Sequence, residues 1–359
     1  MRCDDAIDAL LSHVARWQTL GYKAAARWQY RKSPPHEPGQ RGFYRTLWQE
    51  AAAAIGATIA YPDEFYAEIR LPGMVLRVHD HITSLDDLVT GTITANKPLV
   101  SRMLAEEGIP VPRSCVTRFD DPQAGWQFAA GLGRPCVVKP ARGTGGGTGI
   151  TTEITSRRAL VSAMARAGAY CHDVVIEEHV PGDNYRLLYL DGDLVDAVER
   201  RPPTLCGDGR STIKQLIEAD NAQLLRRGVG LDRSPFAIDQ ELRRTLGRTG
   251  RDMGSVPAAG ELVSLKAVVS QNGRQFNTQA GDRVCPALVL AGSRAAAVLG
   301  VRLAGVDVVT PDPGLPLNEA GGAIIEVNTT PGLHYHYMVG GEPTQVARII
   351  LERLREKTP

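Results

Sequence analysis

The stretch 137–152, VVKPARGTGGGTGITT, constrains this chain more than any other. Five of the residues from Gly143 to Gly149 are glycine, and residues without a Cβ let successive backbone N–H groups approach an anion unobstructed. The surrounding residues limit which kind of phosphate loop this is. No Lys-Ser or Lys-Thr follows the last glycine, so the P-loop pattern is absent. Counting from Gly143 or Gly145, the third glycine of a dinucleotide fingerprint falls on Thr148 or Ile150. The flanks, Cys136–Pro140 and Ile150–Ile154, read as two short strands rather than a strand and a helix. A glycine flap between antiparallel strands, with Lys139 ending the first, is the device this pattern supports. A plain surface turn is the alternative.

Two later segments place oxygen donors at strand ends. Asp307 interrupts the apolar run Gly305-Val306-Asp307-Val308-Val309, and Glu326 interrupts Ile324-Ile325-Glu326-Val327-Asn328. Asn328, two residues beyond Glu326, shares its strand face. Carboxylates are almost never buried without a partner. Two carboxylates and an amide oxygen form a hard-oxygen set that suits Mg²⁺ when the ion also holds phosphates. Each acid taken alone could instead pair with an arginine. No Ser/His/Asp or Cys/His constellation stands out. The cluster His334-Tyr335-His336-Tyr337 lacks a third ligand for zinc, and a contact with substrate or with the final turn is expected instead. Trp17, Trp28, Trp48 and Trp126 are read as packing residues.

Bulk properties narrow the class. A length of 359 residues suits two or three lobes around a cleft. Lys and Arg number 41 against 40 Asp and Glu, for a net charge of +1, so the basic excess of a nucleic-acid binder is missing. No apolar run approaches the ~20 residues that span a bilayer, and MRCDDAIDALL lacks the basic leader of a signal peptide. The cysteines Cys3, Cys115, Cys136, Cys171, Cys206 and Cys285 form no C-x-x-C pair, which suits free thiols in a reducing cytoplasm.

Along the chain, apolar spacing predicts helices over 6–20 and 43–55, separated by the Pro-rich breaker 32–41, with extended segments near 67–71 and 74–78. Helices are expected over 97–107, 156–167 with Ser156 as cap, 212–221, 238–249, 287–299 and 344–356. Strands are expected at 174–178, 185–190, 194–199, 304–309 and 323–327, with hairpin turns at Asp191-Gly192 and Asn272-Gly273.

Taken in order, these residues resemble the ATP-grasp superfamily, and in particular the ATP-grasp domain of cyanophycin synthetases. The shared elements are Asn96-Lys97, Val138-Lys139-Pro140, the glycine loop, Ile176-Glu177-Glu178-His179-Val180-Pro181-Gly182, Tyr185-Arg186-Leu187, Gly207-Asp208-Gly209 with Thr212-Ile213, Ser255-Val256-Pro257, Ala304-Gly305-Val306-Asp307, and Glu326-Val327-Asn328 with Pro331-Gly332. They run from about Thr94 to the end of the sequence. The fold this resemblance implies is mixed α/β (α+β). Two lobes grip ATP, over 96–175 with the flap and 176–359 with the metal site, behind a small N-terminal α/β lobe over 1–95. It implies an ADP-forming carboxylate–amine ligase that acts through an acyl-phosphate on an amino acid or short peptide. Lys97 and Lys139 would contact the nucleotide's phosphates and base region, and Gly143, Thr144, Gly145, Gly146 and Gly147 would close over the β- and γ-phosphates. Glu177, Glu178, His179 and Val180 would form the adenine hinge, with Asp183 or Asn184 at the ribose. Asp307, Glu326 and Asn328 would hold Mg²⁺, or Mn²⁺ in its place. Arg186, Arg200 and Lys266 would face the γ-phosphate and acyl-phosphate.

The sequence departs from its relatives at three places. Asn184 stands where they carry the ribose-binding acid, Lys266 where they carry arginine, and 271–274 where they carry a Ser/Gly-rich loop near the substrate. With no segment for a Mur-ligase-like domain, a stand-alone ligase is expected, without nucleic-acid or membrane partners and with a homo-oligomer allowed. Two other readings stay open: an ATP-dependent phosphotransferase, and a non-catalytic ATP-binding regulator of the same fold.

Overall fold

The computed structural model describes residues 10–23, 38–144, 147–227, 236, 238, 240–266 and 277–357. Gly145, Gly146, Trp28, the Asn272-Gly273 turn and 271–274 lie outside them. The chain builds antiparallel sheets with helices on their faces. The N-terminal sheet runs β1 (Thr58–Ala60), β2 (Tyr66–Leu71), β3 (Met74–His79), β4 (Ile82–Thr83) in sequence order. Ala67, Ile69 and Leu71 alternate inward on β2, as Leu76 and Val78 do on β3. They pack on Tyr44, Leu47 and Trp48 of helix Pro38–Ala54, and on Ile350, Leu351 and Leu354 of the last helix, Val346–Glu356. Leu188, Leu190 and Leu303, from the central sheet, complete that same core. Among the described residues the N-terminal lobe thus shares its core with the central sheet and the last helix.

A second sheet, in the order β5-β8-β6-β7, contains β5 (Ser114–Arg118), β6 (Cys136–Pro140), β7 (Thr151–Ile154) and β8 (Asp173–Glu178). The glycine loop joins β6 to β7, which pair antiparallel, so the sequence pattern and the topology agree. Ser156 caps the next helix, Arg157–Gly168, by accepting from Ala159 N. Gly149 shows why glycine closes this loop: its φ is +78°, and a Cβ there would meet Pro140 at 2.8 Å and Tyr170 at 2.9 Å. The central sheet has the order β13-β10-β9-β14-β15. Its strands are β9 (Asp183–Leu190), β10 (Asp193–Arg200), β13 (Thr278–Gln279), β14 (Leu303–Thr310) and β15 (Ala323–Asn328). Tyr185, Leu187 and Tyr189 of β9 and Val306 and Val308 of β14 bury one face against Leu288, Ala295 and Ala296 of helix Pro286–Val298. Between β10 and β13 the chain builds a small unit from β11 (Thr204–Cys206), β12 (Leu262–Ser264) and helices Ile213–Arg227 and Gln240–Arg248, with its own core around Ile213, Leu242, Leu246 and Val263.

Some expectations are corrected. The breaker gives way to a helix at Pro38, because proline is tolerated in a first helical turn. Helices Leu88–Thr94 and Pro122–Gly131 were not anticipated, although each carries a readable start: Asp87 accepts from Thr90 N and Asp121 from Ala124 N. Trp48 is packed, but Trp17 is 73% exposed. Helical residues 10–23 rest Ala15 on Val161 and Ala165 of the flap-bearing unit, not on the N-terminal lobe. A cut at residue 175 would pass through β8, so we propose the boundary after Glu178.

Gly182, entering β9, has φ +120°, and a Cβ there would lie 2.2 Å from the Thr310 carbonyl carbon, which is backbone and cannot yield. Gly182→Ala is expected to destabilise the fold by about 1–3 kcal/mol or more, read from urea unfolding. An unchanged midpoint would mean that β9 and β14 are not this close.

Candidate active site

A cavity of about 560 Å³ is lined by residues of the flap-bearing sheet, the central sheet and the small unit between β10 and β13. On one wall, Lys139 of β6 and Glu177 of β8 form an ion pair of 2.7 Å, with side chains 6% and 9% exposed. The neighbouring acid also lines the cavity. Glu178 accepts from Arg113 N and Arg113 Nε, both at 3.0 Å. Burial pushes the Glu178 carboxyl up, but those bonds and the charges of Arg113 and Arg134 outweigh it and leave its pKa lowered. His179 is fixed through its backbone, whose N–H donates to Pro135 O at 2.9 Å. Val180, Asp183, Asn184 and Gly147 continue the lining. Lys97, at the start of helix Lys97–Glu106, donates to Thr144 O at 3.2 Å, next to Gly143.

Strand register builds another part of the site, in which Asp307 and Glu326 line the cavity while Arg186 and Asn328, not among the lining residues, reach it through Asp307. Arg186 of β9, Asp307 of β14 and Glu326 of β15 lie side by side in one cross-strand row. Arg186 donates to both Asp307 oxygens, at 2.6 and 2.8 Å, the fork geometry that fixes a guanidinium plane. Burial pulls the Arg186 pKa down, but Asp307 more than offsets this and the net shift is upward. Asn328, opposite Gly305, donates to Asp307 Oδ2 at 3.2 Å. Arg200 Nη1 stands 3.7 Å from Asp307, Lys97 Nζ 3.1 Å from Glu326, and Lys266 Nζ 3.6 Å from Glu241. Arg186, Arg200 and Lys266 are each at most 6% exposed. Every cation named from the sequence thus meets an acid.

The chain is 32% identical over 282 residues to the cyanophycin synthetase of Trichormus variabilis, an alignment covering 77% of this chain and 31% of that protein. It is 29% identical over 284 residues to the glutathione biosynthesis bifunctional protein of Listeria innocua, covering 76% and 36%. The crystal structure of a bifunctional glutathione synthetase from Pasteurella multocida matches with a TM-score of 0.57 at 22% identity, over 86% of this chain and 44% of that one, a likeness of fold. The chain belongs to the ATP-grasp superfamily. No protein-family model matches it, and it spans about a third of the length of the curated relatives it matches.

Some residues of this ATP-grasp cleft escaped sequence reasoning. Thr245, Arg248 and Thr249 line the cavity from helix Gln240–Arg248 and the residue after it, and Glu241 meets Lys266. Their spacing of four, three and one residues puts them on one helical face, a signal present but without a partner to aim at. The two histidines that suggested a metal are engaged otherwise: Tyr44 Oη and His334 Nδ1 are 2.8 Å apart, and His336 Nδ1 and Asp196 Oδ2 are 2.6 Å apart. Burial, with the charges of nearby arginines and histidines, pushes His334 down to about 3, so it is neutral near pH 7. Among the described residues no group of three His, Cys, Asp or Glu could hold a metal unaided. Asp307, Glu326 and Asn328 nevertheless fit Mg²⁺ shared with phosphate oxygens: two carboxylates opposed in register, with an amide on the same face. Among the described residues no helix is long and apolar enough to cross a membrane.

Proposed function

We propose that the chain is an ATP-dependent carboxylate–amine ligase that forms an amide through an acyl-phosphate, acting on an amino acid or short peptide. The observation that carries this reading is the convergence of Lys97, Lys139, Arg200, Lys266, Asp307 and Glu326 on one cavity. A carboxylate is a poor electrophile. Attack of its oxygen on the γ-phosphorus of ATP releases ADP and leaves an acyl-phosphate. A neutral amine then attacks the carbonyl carbon, phosphate departs, and the amine gives up a proton. Such chemistry needs positioning and offset charge rather than a protein nucleophile.

In this reading Lys97 and Lys139 hold phosphate oxygens, and the residues 177–180 pack and hydrogen-bond the base. The backbone of 143–147 covers the β- and γ-phosphates. Asp183 or Asn184 takes the ribose. Arg186, Arg200 and Lys266 meet the negative charge that develops as the phosphoryl group moves. Asp307, Glu326 and Asn328 would hold Mg²⁺, which when bound offsets the charge of the phosphates. Relatives described as making cyanophycin and glutathione support an amino-acid or peptide substrate. The cysteines among the described residues, all free thiols, agree with a reducing cytoplasmic setting.

ADP and phosphate are expected only when ATP, Mg²⁺ and the right carboxylate are together, and hydroxylamine should trap that carboxylate as its hydroxamate. AMP and pyrophosphate would overturn the acyl-phosphate scheme in favour of adenylation. Phosphorylation of an alcohol without hydroxamate would favour a phosphotransferase.

A further inference from the structure

Tyr335 entered the sequence reading only within the cluster 334–337, and the structure anchors it from three directions. On one side His334 Nδ1 meets the hydroxyl of Tyr44, which comes from the N-terminal lobe and is 1% exposed. On the other, His336, fully buried, meets Asp196 of β10, itself 8% exposed. The second Asp196 oxygen accepts from Thr344 Oγ1 at 3.0 Å, and Gln279 Nε2 donates to Thr344 at 3.1 Å. Between the two histidines, the buried Asn277 donates through Nδ2 to the Tyr335 carbonyl at 3.0 Å. Taking an acid and an imidazole out of water is costly, so this network fixes something whose position matters.

What it fixes is a ring against two cations. The Tyr335 ring centre is 4.2 Å from Arg200 Cζ and 5.5 Å from Arg186 Cζ, both within cation–π range. The fork with Asp307 sets the plane of Arg186, and Arg200 Nη1 stands 3.7 Å from the same carboxylate with the Tyr335 ring over its guanidinium. A ring stacked on a guanidinium face orients that plane without using its N–H groups.

Resting on the ligase reading, we propose that Tyr335 is a positioning residue. Its clamped ring sets the orientation of Arg200 toward the acyl-phosphate, and the N-terminal lobe reaches the chemistry through Tyr44. The ring is the working part, not the hydroxyl.

The test compares Tyr335→Leu with Tyr335→Phe in hydroxamate formation. Tyr335→Leu is expected to lower kcat on the order of 10²-fold, the cost of a misplaced catalytic group, with the KM for ATP unchanged. Tyr335→Phe should stay within about 3-fold of wild type, since ring stacking survives loss of the hydroxyl. In an Arg200→Gln background, Tyr335→Leu should add nothing, because it acts through Arg200. A readout without turnover is the Nε–H resonance of Arg200, assigned by its loss in Arg200→Lys. Its ring-current shift should persist in Tyr335→Phe and vanish in Tyr335→Leu. Full activity in Tyr335→Leu, equal damage from Phe and Leu, or an undiminished effect of Tyr335→Leu without Arg200 each overturns the proposal. If the wild type yields no hydroxamate with any carboxylate, the ligase reading falls instead, and the catalytic half of this one with it.

Discussion

Glu326→Gln is expected to lower turnover by about 10²–10³-fold, the usual size of losing one group that offsets transition-state charge, while the protein melts nearly as before. Glu326 is 29% exposed in the cleft, and its partner Lys97 reaches Thr144 O as well. A glutamine in its place can still accept from Lys97, which keeps Thr144 O as well. Asp307→Asn should cost at least as much activity, but with a stability loss added. It takes away one oxygen of the fork that holds Arg186, whose side chain is only 7% exposed. Measuring kcat, the Mg²⁺ concentration for half-maximal rate, and thermal unfolding on both variants separates the two effects. Near-normal turnover in Glu326→Gln, at unchanged Mg²⁺ demand, would place the phosphate-charge site elsewhere.

The second large effect is on stability. Lys139 and Glu177 face each other at 2.7 Å with both side chains at most 9% exposed. Truncating one partner leaves the other buried and uncompensated, so Lys139→Met is expected to lower the unfolding free energy by about 3–5 kcal/mol. The double change Lys139→Met with Glu177→Leu should recover most of that loss, because two apolar side chains leave no orphaned charge. It should not recover nucleotide binding if, as proposed, the ammonium holds phosphate oxygens. Urea unfolding and titration with a non-hydrolysable ATP analogue read the two halves separately. A double variant that binds the analogue as wild type does would remove Lys139 from the nucleotide site. A single variant of wild-type stability would mean that the pair is open to water.

The sequence carried the local half of this cleft because the relevant signals are short-ranged. Whereas 177–180 was named only through the family resemblance, Lys139 before the glycine run and the acids Asp307 and Glu326 could be named from strand alternation and loop composition within a few residues of each. The Asp191-Gly192 turn between β9 and β10 was legible for the same reason, a two-residue connection whose geometry few residues can adopt.

What the sequence could not supply is which faces meet. Arg186 and Asp307 are 121 residues apart and become neighbours only because β9 and β14 lie side by side in the central sheet. Period-two alternation assigns each to a face of its own strand and is silent about strand order. The pairing of Lys266 with Glu241 needs a helix packed over β12, and Tyr335 needs anchors from Tyr44, Asp196 and Asn277, as much as 290 residues away in sequence. The N-terminal lobe read as a separate unit because its strands alternate well by themselves. The structure joined it to the rest, since its apolar face is covered only when Leu188, Leu190, Leu303 and the last helix close over it. Local chemistry determined which residues could act on a phosphate. Burial of apolar faces, a property of the whole chain, decided which of them stand together and what holds them there.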